Sequence, residues 1–269
     1  MIDNSSPITS LQNARVKQVV ALQQKSSERR KTGLFVVEGL REIGHCQSAG
    51  YEFDSIFWCK ELCGGWQPTA DVALLVNEVT PTVYAKMAYR DSTEGIMAVV
   101  RSRHLTLNDL RLPDDALLMV LESVEKPGNL GAILRSADAA GADAVIVCDP
   151  LTDLYNPNLI RASIGAAFTE PTVACTSEEC ISFLKSRGIR ILTAQLQDSS
   201  LYYDTDMRQA TAIVMGTEST GLTNQWRVAA DARIRIPMSG RLDSLNVSVS
   251  AAILLFEAVR QRQSPTSIN

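Results

Sequence analysis

The sequence predicts an α/β protein of two units, a small N-terminal one followed by a larger doubly wound one. Three observations predict it. From Ala116 onward, near-continuous apolar runs alternate with helical segments. Before it, about 100 residues alternate shorter strand-like and helical patterns. Between them, "NDLRLPDD" carries Pro113 and paired aspartates and reads as an exit linker. The expected boundaries are 1–105, a linker at 106–114, and 115–269.

In the N-terminal unit, Leu11–Gln24 spaces Leu11, Val16, Val19 and Val20 as a helix face, and the polar Ser26–Thr32 reads as a loop. "GLFVVEG" is a short buried strand, and "GLREIGHCQSAG" a helix closed by Gly50, since glycine adopts the left-handed cap without strain. "DSIFWC" and "VALLVN" read as strands, "TVYAKMAYR" as a helix and "GIMAVV" as the last strand.

The strands of the larger unit are "ALLMVLES", "AVIVCD", "TVAC", "RILTAQ", "TAIVMG" and "ARIRIP". Runs apolar on both faces belong in a parallel sheet with helices on each side. Such a sheet takes its ligands at the carboxyl ends of its strands.

Composition sets the outer limits. The 269 residues, 45% hydrophobic and 21% charged, are those of a soluble globular chain with one large core or two modest ones. "MIDNSSPITS" has no basic segment followed by an apolar one, and no run approaches the roughly 18 apolar residues of a spanning helix. The cytoplasm is the expected compartment. Of the six cysteines, Cys59 and Cys63 have three residues between them and Cys175 and Cys180 four; neither pair is C-x-x-C. His45 and His104 are not placed to complete a zinc set, so buried reduced thiols and no metal are expected.

The net charge of −4 is unevenly spread. Residues 1–112 hold 13 Lys/Arg against 12 Asp/Glu, whereas 113–269 hold 13 against 18. Within the first part, Arg15, Lys17, Lys25, Arg29, Arg30 and Lys31 face one acid, Glu28. A local basic stripe on an acidic protein suits an anionic partner engaged at a defined place, though a solvated helix face has the same composition.

Three stretches carry candidate chemistry. In "EKPGNLGAILRSADAAG", Pro127-Gly128 marks a turn, Asn129 is a candidate helix cap, and Leu130, Ile133, Leu134 and Ala137 form the buried stripe. Gly131 and Arg135 lie four apart on another face, leaving space over Gly131 for a substrate. A dinucleotide loop needs G-x-G-x-x-G, which is missing. An Arg135–Asp138 pair and an arginine poised to grip phosphate both remain open. "IVMGTESTGL" runs from a strand into a glycine turn bearing Glu218. In "RIRIPMSGRLDSLNVSVSAAILLFEAVRQR", Ser244 can cap a helix whose apolar face is Leu245, Val249, Ala252, Ile253, Phe256 and Val259. Its first turns carry Asn246, Ser248 and Ser250, poor helix formers, and such local conflicts mark functional sites.

Together these stretches resemble the SpoU (TrmH-like) family of RNA ribose 2′-O-methyltransferases. The family's N-x-G-x-x-x-R, G-x-E-x-x-G and I-P-M…S-L-N-V-S-V-S segments match "NLGAILR", "MGTESTG", "IPM" and "SLNVSVS", in order, across 116–260. "ITSLQNARVKQVVALQQK" and "FVVEGLREI" are similar to the substrate-binding domain of its ribosomal-RNA branch, a fold like ribosomal protein L30e. The resemblance implies a catalytic domain with a trefoil knot formed by Met215–Gly221 and Ile236–Val249, and a homodimer with active sites near the interface. It implies S-adenosylmethionine as methyl donor, held against Thr193, Ala194, Gly216, Ile236, Met238 and Leu245. The matching polar catalytic set is Asn129, Arg135, Glu218, Ser244 and Asn246. The basic stripe, above all Arg15, Lys17, Arg29, Arg30 and Lys31, then faces structured RNA.

An arginine, with a pKa above about 12, is a poor base. Arg135 is therefore expected to bind the phosphate beside the target ribose, so that this phosphate or a water receives the proton. Asn129 would hold Arg135 or the ribose, while Glu218 and Asn246 order the loops. The expected substrate is 23S ribosomal RNA. The alternatives are ribose methylation of transfer RNA, base methylation on the same fold, or a non-catalytic RNA-binding or ribosome-assembly protein.

Overall fold

Asn13 opens the first helix by accepting a 2.9 Å hydrogen bond from the Arg15 backbone N–H, and α1 then runs Ala14–Gln24. The structure is a computed structural model describing residues 6–67, 69, 72, 75–89, 94–241 and 244–263. Ala73 and Leu74 of the expected strand 72–77, and Arg90 at the end of the expected helix, lie outside the described residues. The segment expected as a loop is a helix, α2 (Ser26–Thr32). Its Glu, Arg and Lys residues are good helix formers, and Gly33, at φ +66°, supplies the left-handed cap that stops it. The elements β1 (Leu34–Glu38), α3 (Leu40–Ser48), β2 (Phe53–Trp58), β3 (Val76–Glu78), α4 (Pro81–Met87) and β4 (Ile96–Arg101) follow.

The chain divides into two compact units, Met1–Arg103 with Asp153–Arg161, and His104–Thr152 with Ala162–Asn269. The first has a four-stranded sheet in the order β1-β4-β2-β3, antiparallel except for β2-β3. Val16, Val19 and Leu22 of α1 pack into a core with Val36, Phe57, Tyr84 and Met97. Asp153 and Tyr155 belong to this unit: Tyr155 stacks on Phe35 with ring centres 4.2 Å apart.

The second unit carries β5 (Leu117–Glu122), α5 (Pro127–Ala140), β6 (Ala144–Cys148), the end of α6 (Pro157–Ser163), α7 (Ala166–Thr169), β7 (Thr172–Cys175), α8 (Ser177–Ser186), β8 (Arg190–Ala194), β9 (Ser200–Leu201), β10 (Thr211–Met215), α9 (Asn224–Ala229), β11 (Ala232–Arg235) and α10 (Val247–Gln263). Its seven-stranded sheet runs β7-β6-β5-β10-β8-β11-β9, with every pair parallel. The six expected strands are all present; β9, two residues long, is too short to leave a pattern. Successive strands step outward from β5 to β7, and β10 returns to β5 on its other side. This reversal of strand order is where open parallel sheets take ligands. Residues 106–114 are folded: Thr106 and Asp109 cap a short turn, and Leu110 is buried in the second unit's core.

Two expectations for helices fail informatively. Helix α5 starts at Pro127, not at Asn129, because proline's fixed φ and missing N–H suit the first helical position. Helix α10 buries Val247, Ala251, Leu254, Leu255 and Ala258. The stripe expected to be buried points the other way, with Leu245, Val249 and Phe256 exposed and Ala252, Ile253 and Val259 half-buried. Both stripes are apolar at helical spacing, so periodicity cannot choose between them.

Candidate active site

Strand β10 ends at Met215 and the chain turns at once on Gly216. A Cβ there would lie 2.3 Å from the Gly221 carbonyl carbon and 2.5 Å from the Leu222 nitrogen. Only glycine lets the two limbs of this loop close on each other. The loop braces itself as the Gly221 N–H donates to the Thr217 carbonyl at 3.1 Å and Thr217 Oγ1 accepts from the Thr220 N–H at 3.0 Å. Its exit is fixed by Glu122, the last residue of β5. That buried carboxylate accepts from the Thr223 N–H at 2.8 Å and from its hydroxyl at 2.6 Å.

Glu218, within this loop, is a meeting point. Its Oε1 accepts from Asn129 Nδ2 at 2.7 Å and Asn246 Nδ2 at 3.1 Å, and its Oε2 pairs with Lys126 Nζ at 2.6 Å. Asn246 Nδ2 also reaches Asn129 Oδ1 at 3.2 Å. The other side of the Asn246 amide caps α10, its Oδ1 accepting from the Ser248 N–H at 2.9 Å and hydroxyl at 2.6 Å. The helix is therefore capped by Asn246, not by Ser244, and the conflict noted in "SLNVSVS" is a cap doing double duty. The hydrogen bond from Lys126 holds the Glu218 carboxyl below its usual range, so it is ionised at neutral pH and serves as an acceptor that gathers three segments.

Behind this cluster lies an open cavity of about 390 Å³ at the carboxyl ends of β8, β10 and β11. Ala194, Gly216, Ile236, Met238 and Leu245, five of the six residues that the resemblance assigns to the donor, line it together with Glu218 and Ser244. Thr193 does not: it is wholly buried, and its hydroxyl has no partner among the described residues. Gln195 Oε1 and Arg227 Nε on the cavity wall are likewise buried without a partner. Buried polar atoms are costly to leave unpaired, so a wall holding an unused acceptor and an unused donor is built for a polar ligand. A smaller recess of about 140 Å³ adjoins it, sharing Gly216 and Glu218 and adding Lys126 and Asn129.

Arg135 stands outside this network. It is exposed and makes no hydrogen bond or ion pair among the described residues, neither to Asp138 nor to Asn129. Gly131, one turn before it, is buried. Sequence reasoning missed Lys126, Glu122, Gln195 and Arg227. Lys126 and Gln195 adjoin residues already singled out, but Glu122 and Arg227 leave no local signal.

In the first unit, Arg15, Lys17, Arg30 and Lys31 are exposed, and Arg15 donates to the Asn77 side chain. Arg29 does not belong with them. It is 5% exposed, its Nε pairs with Asp153 at 2.5 Å, and its Nη1 donates to the Leu22 carbonyl. Such a guanidinium is spent inside the fold.

Residues 116–256 match the profile of the SpoU rRNA Methylase family, and residues 13–98 match the MRM3-like substrate binding domain. A 23S rRNA (uridine(2479)-2′-O)-methyltransferase of Streptomyces viridochromogenes is 31% identical, over 94% of this chain and 91% of that one. A 23S rRNA (guanosine-2′-O-)-methyltransferase, RlmB, of Bordetella pertussis is 38% identical over 63% of this chain and 71% of its own. The crystal structure of an AdoMet-bound rRNA methyltransferase from Sinorhizobium meliloti superposes with a TM-score of 0.87 at 30% identity, covering 96% of this chain and 99% of that one. A profile match across more than half of the sequence, and a relative alike along nearly all of it, make this chain a member of the SpoU rRNA methylase family.

Proposed function

We propose that this chain transfers a methyl group from S-adenosylmethionine to a ribose 2′-hydroxyl of 23S ribosomal RNA. The observation that carries this reading is the Glu218 cluster at the rim of the 390 Å³ cavity, which joins Lys126, Asn129 and Asn246 beside the close-packed Gly216 turn. The cavity suits the donor. Its volume falls in the range of small-molecule sites, and Gln195 Oε1 and Arg227 Nε wait there for polar partners. Ala194, Gly216, Ile236, Met238 and Leu245 would hold the donor, largely through backbone groups. When bound, S-adenosylmethionine supplies an electrophilic methyl group on a sulfonium that leaves readily.

What remains for the chain is to aim a weakly nucleophilic hydroxyl and ease the loss of its proton. Glu218, ionised and fully engaged, orders the loops and is not poised to take that proton. Asn129, fixed by it, borders the recess where the ribose would lie, and Asn246 braces Asn129 through its own amide. Arg135, free among the described residues, binds the neighbouring phosphate through its planar fork, leaving that phosphate or a water to receive the proton.

The test is transfer of labelled methyl groups to 23S ribosomal RNA followed by alkaline hydrolysis. Ribose methylation leaves label in alkali-resistant dinucleotides, because a 2′-O-methyl blocks cleavage at that linkage. Label released in base-modified mononucleotides contradicts the proposal.

The finer features follow from the same reading. The chain threads a trefoil knot through the segments after β10 and β11. It works in the cytoplasm, with its ribosomal RNA substrate. Among the described residues, no helix is long and apolar enough to cross a membrane. It acts as a homodimer, and the outward stripe of α10 supports this: Val249 and Phe256 are 48% and 47% exposed, and Leu245 lies on the donor cavity. Phe256→Asp should convert a dimer into monomers at micromolar concentration in light scattering. A wild-type monomer, or a variant that stays dimeric, would count against the interface.

The first unit is the RNA-binding domain, through Arg15, Lys17, Arg30 and Lys31. Replacing Arg30 and Lys31 by glutamine should lower the slope of log affinity for RNA against log salt by about 0.7 per lost contact on single-stranded segments, with donor affinity unchanged. An unchanged slope assigns that face to solvent.

A further inference from the structure

Three thiols that the sequence keeps apart meet in the second unit. Cys148 ends β6, Cys175 ends β7 and Cys180 sits in the first turn of α8. The parallel register places Cys148 directly beside Cys175, and the Thr176 capping box turns α8 back so that Cys180 joins them. All three sulfurs lie within 4.8 Å of one another, and no disulfide joins them. Cys148 and Cys180 are wholly buried and Cys175 half-buried. Single buried cysteines are ordinarily small apolar packing groups. Three sulfurs converging on one point from three elements are a different arrangement. Cys46, Cys59 and Cys63 form no such group among the described residues.

We infer that Cys148, Cys175 and Cys180 form a site for one thiophilic d10 cation, of the zinc or cadmium type. Thiolates select such ions over hard, oxygen-seeking ones. Zinc–sulfur bonds of about 2.3 Å set sulfurs roughly 3.8 Å apart, so each Sγ need move inward by only about half an ångström. The nearby carboxylates are already engaged. Asp149 accepts from the Ser177 N–H and hydroxyl, Glu122 from Thr223, and Glu179 from Thr176, so no carboxylate supplements the thiols. The fourth coordination position is open to water or a small thiol on the side of Cys175. As each sulfur–metal bond forms, a sulfur–hydrogen bond breaks and its proton passes to solvent. A divalent ion with three thiolates leaves the site with one net negative charge. The ion would tie β6, β7 and α8 together, away from the donor cavity.

The test is titration of the reduced, metal-stripped chain with cadmium chloride, followed by the ultraviolet thiolate-to-cadmium charge-transfer band. The expected result is an endpoint at one cadmium per chain, release of about three protons per ion in weakly buffered solution, and competition by zinc. Cys175→Ser should weaken cadmium binding by at least about 100-fold, since loss of even an outer partner costs about 10–100-fold. Retained S-adenosylhomocysteine binding would show that this half-buried variant is folded. No charge-transfer band, no proton release from the wild-type chain, or an unchanged endpoint in the folded Cys175→Ser chain would overturn the inference.

Discussion

Gly216→Ala should weaken S-adenosylmethionine binding sharply while leaving the chain folded. The added methyl meets backbone on every near side, with the Gly221 carbonyl oxygen at 2.4 Å and its carbon at 2.3 Å. No rotamer can relieve these contacts, so the loop itself must open. Overpacking of this kind costs about 1–3 kcal/mol. If that cost falls on the loop, it lowers donor affinity by about 5–150-fold. Opening the loop also moves Glu218, so methyl transfer should fall further than donor binding does. Gly128→Ala is the natural control, because a Cβ there meets nothing within 4 Å. Calorimetric titration of both variants checks the argument, and equal donor affinities for the two would remove the role given to the Gly216 turn.

A second large effect concerns stability. Glu170 is buried, its Oε1 has no partner among the described residues, and its carboxyl is pushed up to about 8, chiefly by burial and then by Asp138 and Asp143. An unfolded glutamate has a pKa of about 4.3. Between those two values the folded chain holds a proton that the unfolded chain lacks. Stability therefore falls as pH rises across that window and levels off once the folded group also ionises. Glu170→Gln removes the titration, so the variant should gain on the wild type steadily from pH 5 to pH 8. Each unit of displaced pKa is worth about 1.4 kcal/mol, which makes this effect large for one surface-remote side chain. Thermal unfolding at several pH values tests it. A Tm difference that stays flat or shrinks toward pH 8 would show that Glu170 is already charged in the folded chain.

Much of this molecule was legible in its residues, for reasons that can be named. Apolar runs such as Leu117–Glu122 and Thr211–Met215 are buried on both faces, and only a covered parallel sheet accommodates them. Glycine placement exposed the turn at Gly216, because close backbone approach has no substitute for the missing side chain. What pattern could not settle was direction. Helix α10 is apolar on two sides, and which side faces inward depends on its partner helix α5, which no local window contains. Arg29 failed for a similar reason: its partner Asp153 lies 124 residues away, so a buried ion pair had the composition of a solvated stripe. The Glu218 cluster was half visible. Asn246 was marked by its poor fit to a helix, and Glu218 and Asn129 by the family resemblance, whereas Lys126 has meaning only once the loops meet.

The three thiols were hidden for the same physical reason. Cys175 and Cys180 have four residues between them, a spacing with no metal signature, and Cys148 joins them only through the strand register. Spacing along the chain is a poor guide to convergence when a parallel sheet brings distant strand ends side by side.

We propose that the Glu218 cluster and Arg135 serve ribose methylation of ribosomal RNA. Mapping 2′-O-methyl groups across total RNA from cells with and without this gene tests it most directly. A ribose methylation in 23S ribosomal RNA should disappear without the gene, return with the wild-type chain, and not return with Arg135→Ala. An unchanged ribose map, or a lost base methylation in its place, would contradict it.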